Sequence, residues 1–69
     1  MVKVDAATAT WDARKKHWLI RFQIGAEVIS RVAPHVAREA DDETLRSLVA
    51  GTARDEGYDL DPARVTVTR

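Results

Sequence analysis

The chain has 69 residues, with 11 Lys and Arg against 11 Asp and Glu and no cysteine. That length holds one domain over residues 1–69, with a thin core, and the missing thiols exclude disulfides and thiolate zinc sites. Zero formal charge argues against a simple nucleic-acid coat, and no apolar run approaches the ~20 residues of a membrane span.

The zero sum conceals an asymmetry. Residues 1–35 carry six cationic and three anionic side chains, and residues 36–69 carry five and eight. A folded domain can then present one basic and one acidic surface. The first residues, MVKVDAATAT, have no apolar segment of the kind a secretory signal needs. Together with the missing cysteines this leads to an expected cytoplasmic setting.

Along the chain, VKVDAATATW alternates but shifts phase by one near Asp5–Ala6, the mark of a bulge or a break in the strand. DARKK is a polar turn in which Asp12 can accept from its own backbone. HWLIRFQI alternates throughout. Trp18, Ile20, Phe22 and Ile24 take one face, and His17, Leu19, Arg21 and Gln23 the other. Gly25–Ala26 makes a tight turn. EVISRV is a third strand, compatible with more than one register, and Pro34 ends it. PHVAREA is either one helical turn or an irregular connection.

The helix begins after Asp41, a good N-cap, with Asp42 and Glu43 in the first turn where the helix dipole favours anions. Leu45, Leu48, Val49, Thr52, Ala53 and Glu56 form one stripe. Asp42 and Arg46 have the spacing of an intrahelical ion pair. Gly51 costs roughly 1 kcal/mol against Ala, which suggests a close approach of a neighbouring element. Gly57 provides the stop. A final strand, RVTVTR, pairs beside either the first or the third.

The expected fold is therefore an α+β two-layer sandwich in β-β-β-α-β order. A mainly antiparallel sheet of three to four strands carries one helix on one face. With Asp12 paired to His17, Trp11 faces Trp18, Ala9 faces Ile20 and Ala7 faces Phe22. Small residues opposite large ones leave a trough for the helix. The aromatics then belong to the core and not to a base-stacking platform.

No catalytic residue, cofactor site or metal site is expected. His17 and His35 lack an orienting partner at an interpretable spacing, and Ser30 and Ser47 sit in no nucleophile motif. Asp55, Glu56, Asp59 and Asp61 do not have calcium-loop spacing. Two surfaces remain. Leu19 with Val28 or Ile29 would form a small apolar patch on the open face beside a free edge strand, which suits a protein partner or a second copy of the chain. Leu19, Arg21 and Arg31 are the residues expected there. The second surface is the cationic tip, where Arg14, Lys15 and Lys16, with Arg21 on the open face, can neutralise phosphates.

The W-x₆-W-x-x-R rhythm of Trp11, Trp18 and Arg21, within a three-stranded sheet backed by a helix, broadly resembles the AP2-like domains at the N-termini of phage integrases. The resemblance covers residues 7–56 and implies insertion of the sheet into a DNA major groove. A non-catalytic module that binds a protein is the leading expectation, and a nucleic-acid accessory domain is the alternative.

Overall fold

The computed structural model describes all 69 residues. Six strands, one α-helix and a 3₁₀ turn follow in chain order: β1 (Val2–Lys3), β2 (Ala6–Asp12), β3 (His17–Ile24), β4 (Glu27–Ala33), α1 (Asp42–Asp55), β5 (Tyr58–Asp59), the 3₁₀ turn (Pro62–Arg64) and β6 (Val65–Thr68). The main sheet has the order β4-β3-β2-β6, and β1 and β5 form a separate two-stranded parallel pair. The α+β sandwich expected from the sequence is the architecture found.

The phase shift near Asp5 is a break between two sheets. Val2 and Lys3 pair with Tyr58 and Asp59. Val4 is buried, whereas Val2, which shares its phase, is exposed. Past the break, β2 and β3 pair with Ala7 opposite Phe22, Ala9 opposite Ile20, Trp11 opposite Trp18 and Asp12 opposite His17. The two indoles meet edge to face, with ring centroids 5.5 Å apart. Lys16 closes the β2–β3 turn at φ 55, its N–H donating to the Asp12 carbonyl at 2.7 Å.

Ile24 and Glu27 flank the two-residue Gly25–Ala26 turn. Gly25 has φ 58, the geometry of a type II′ hairpin, which asks for glycine at that position. The turn is fastened from outside, because the Gly25 N–H donates to Asp5 Oδ2 at 2.8 Å.

The last strand lies beside β2 and runs parallel to it, with Val65 opposite Ala7 and Val67 opposite Ala9. A parallel neighbour needs a crossover. Here it runs from β4 through α1 to β6 and lays the helix over β2 and β6. Leu45, Val49 and Ala53 of the helix are buried with Ala7, Ala9, Ile20, Phe22 and Val65 in one cluster. The rest of the sheet is covered by the segment 34–41, which forms turns and not a helix. Trp18 is fully buried, and its indole N–H donates to the Ala37 carbonyl at 2.9 Å.

Two helix features differ from expectation. Asp42 and Arg46 do not pair with each other: Asp42 is taken by Arg69, just past the last strand, and Arg46 by the first residue of that strand. Asp42 accepts from Arg69 at 2.6 Å, and Arg46 Nε donates to the Val65 carbonyl at 3.2 Å. These contacts tie helix to strand, where an intrahelical pair would only stiffen the helix. Nor does Gly51 admit a close neighbour: a Cβ placed there meets no atom within 4 Å. Gly51→Ala should therefore raise stability by about 1 kcal/mol through helix propensity alone. Thermal unfolding would register this as a rise of about 4–8 °C, and an unchanged or lower midpoint would mean the site is crowded.

Candidate functional site

The helix covers one face of the sheet and leaves the other open. Strand pairing lays out the open face in rows across β4, β3, β2 and β6: Ser30, Arg21, Thr8, Thr66; then Val32, Leu19, Thr10, Thr68. A third, shorter row is Val28, Gln23, Ala6. The register undecided in the sequence thus brings Val28, and not Ile29, onto this face. Val28 and Val32 are 55% and 50% exposed, two of only four strongly exposed large apolar residues in the chain. With half-buried Leu19, which pairs with Val32, they make an apolar strip along the β4 side of the sheet that the Ser30–Arg21 row interrupts. Next to it lies a shallow depression of about 430 Å³ over Ala6 and Thr8, rimmed by Arg21, Gln23 and Val28. Small side chains on β2 beside long ones on β3 create that relief.

Arg21 stands exposed near the centre of this face without a hydrogen-bonded or ionic partner. Arg31, expected beside it, lies on the other side. It is opposite Ile20, whose side chain faces the helix, so Arg31 points that way too. Its guanidinium grips Glu56 at the end of the helix, Nη2 to Oε1 at 2.6 Å and Nε to both carboxylate oxygens at 3.0 Å. Its remaining Nη1 donates to the Ser30 carbonyl at 2.8 Å. The Glu56 carboxylate makes the guanidinium hold its proton still more firmly than usual. The sequence pointed to Arg31 as a free cation because the distance from strand to helix end is not visible in it. Arg31 joins β4 to α1.

Arg14, Lys15 and Lys16 sit exposed at the β2–β3 turn, none engaged through its side chain. One carboxylate shapes the turn: Asp12 Oδ1 accepts from the Arg14 and Lys15 N–H groups at 3.0 and 3.1 Å. These bonds, led by that from Lys15, hold the Asp12 carboxyl below its ordinary range. His17 Nε2 lies 3.9 Å from Asp12 Oδ2, too far for a hydrogen bond. His35 lies exposed in the 34–41 segment, with no hydrogen-bonded or ionic partner. No group of three His, Asp or Glu side chains gathers in a way that could hold a metal ion, and no helix is long and apolar enough to cross a membrane.

The cationic tip and the acidic pair Asp59 and Asp61 lie at opposite ends of the main sheet. Asp59 and Asp61 precede β6, whose first residue pairs with Ala7 near the Gly25 turn. The Arg14–Lys16 turn closes the far end of the same strands.

No family model, no curated protein and no solved structure matches the chain. The three antiparallel strands and helix expected from the sequence are present, and β6 adds a fourth, parallel strand to them.

The carboxylates that organise backbone give the fold an acid limit. Asp12 and Asp41 are both held below the ordinary carboxyl range. For Asp41 the cause is Thr44, through its side chain and its N–H at 2.8 Å. A depressed folded-state pKa contributes stability that is present above the unfolded value and lost as pH falls through the folded one. Thermal midpoints should thus be level from about pH 7 to 5 and fall below about pH 4. Asn can cap and turn without titrating, so Asp12→Asn with Asp41→Asn should give a shallower acid slope. An equal slope in the double variant would assign it to other carboxylates.

Proposed function

We propose that this protein is a non-catalytic interaction module that binds a protein partner through the open face of its sheet. The observation behind this reading is the exposed strip of Leu19, Val28 and Val32 next to the unpaired Arg21. Apolar contact there supplies affinity, and the lone guanidinium selects a carboxylate on the partner. Arg31, engaged with Glu56, stands outside this surface and contributes by holding β4 in place. The absence of cysteine suits a reducing, cytoplasmic setting. In affinity capture from the native host, Leu19→Asp should lose a protein retained by the wild type, while Thr66→Ser on the far strand keeps it. Equal capture by wild type and Leu19→Asp would remove the open face from consideration.

A nucleic-acid role is the second reading, favoured by four cations, Arg14, Lys15, Lys16 and Arg21, that have no carboxylate partner. Phosphate contact by all four predicts a log–log salt slope of about −3 to −4 on duplex DNA. Lys15→Glu with Lys16→Glu should abolish the binding. A duplex that does not bind at ~50 mM salt would end this reading.

A further inference from the structure

The strip ends at β4, whose outer edge has no neighbour. Which backbone groups point out from that edge follows from the turn beside it. A type II′ turn closes with the Glu27 N–H on the Ile24 carbonyl, so Ile24 and Glu27 form a hydrogen-bonded pair. In an antiparallel ladder such pairs alternate. Glu27, Ile29, Arg31 and Ala33 therefore direct their N–H and C=O groups to β3, and Val28, Ser30 and Val32 direct theirs outward. Two contacts agree. The carbonyl of Gln23, the residue opposite Val28, faces β2 and accepts from the Asp5 N–H at 2.8 Å. The Ser30 carbonyl is free of β3 and accepts from the Arg31 side chain; its second lone pair remains for another donor.

Three outward-facing residues, evenly spaced about Ser30, make this edge self-complementary. We infer that two copies of the chain pair antiparallel through β4, with the two-fold axis at Ser30. This rests on the reading of the protein as a protein-binding module and names its partner as a second copy. In that register Ser30 opposes Ser30 of the second copy, and Val28 opposes Val32. Each of the three residues donates one bond and accepts one, about six between the strands. Centring the pairing on Ile29 instead would set Val32 against Ala26, within the turn. Centring on Arg31 would set Val28 against Pro34, which has no N–H to give.

Side chains favour the same register. On the open face Val28 and Val32 cover each other twice, extending the apolar strip across the join. On the helix side, Arg31 of one copy lies diagonal to both Glu27 and Arg31 of the other, and the Glu56 carboxylate of its own chain offsets the like charge. The strand is seven residues long and has neither proline nor lysine nor a bulge to discourage pairing. β6, at the opposite edge, has only four residues.

The chain has no cysteine, so a single introduced thiol reports the register. Under mild oxidation Ser30→Cys should form a covalent dimer about tenfold faster than Val28→Cys, because only the Ser30 pair lies within disulfide reach. Two Val28 positions would be about 13 Å apart. Sedimentation of the wild type should give a mass that doubles with concentration. Ser30→Pro should stay monomeric with an unchanged far-ultraviolet circular dichroism spectrum, since the N–H it removes makes no bond within the chain. Three results would overturn the pairing: a wild type monomeric at every concentration, equal cross-linking of the two cysteines, or a dimer kept by Ser30→Pro and lost in Leu19→Asp. The first leaves the open-face reading standing, since host-protein capture tests that independently.

Discussion

Packing in this domain depends on a difference in size across one pair of strands. Ala7 and Ala9 on β2 stand opposite Phe22 and Ile20 on β3, and all four are buried. The alanines lower the sheet surface where α1 crosses, so Leu45 and Val49 reach the backbone of β2 and the flanks of the larger side chains. Methyl groups carry little area of their own, and their contribution is to let helix and sheet approach. A larger residue at either position would lift the helix and separate it from Val65. Because the helix is also the crossover to β6, the fourth strand depends on the same two alanines.

Charged side chains do the joining around this core. Arg31 holds Glu56, Arg69 holds Asp42, and Arg64 reaches the Asp5 carbonyl at 3.2 Å. Arg69 also donates to the Arg38 and Ala40 carbonyls and lies 5.6 Å from the centroid of the Trp18 ring. Each links segments distant in sequence. Exposed pairs of this kind contribute little energy singly. Their role is geometric: they keep the irregular 34–41 segment against Trp18 and the helix end against β4. Four of the eleven cations, Arg31, Arg46, Arg64 and Arg69, are spent in this way. Of the seven without side-chain partners, Arg14, Lys15, Lys16 and Arg21 lie at the tip and on the open face.

The strongly alternating parts of the fold were legible in the sequence. Trp18 to Ile24 announces its own inner face, the phase shift at Asp5 marks a real break, and the Asp12–His17 turn fixes the β2–β3 register. Asp41 and Gly57 mark the helix limits because capping is local chemistry. What was not legible depends on distant partners. Val28, Ile29 and Val32 are all apolar, so the pattern of β4 does not reveal its inner side. The open-face strip came into view only with the register. Arg31 looked free because Glu56 is 25 positions away in sequence, and Asp42 and Arg46 looked paired because the competing Val65 and Arg69 are also remote.

The parallel partnership of β2 and β6 also orders events in time. Ala7 and Val65 meet across 58 residues, whereas β2, β3 and β4 are joined by turns of four and two residues. Closing the longer loop costs more entropy and is repaid only once α1 has formed and docked. The antiparallel meander can assemble early, and β6 completes the sheet last. Through that interval β2 has an open edge of its own, flanked by alanine and threonine. Until those four residues are in place, the meander presents two unpaired edges, one on β2 and one on β4.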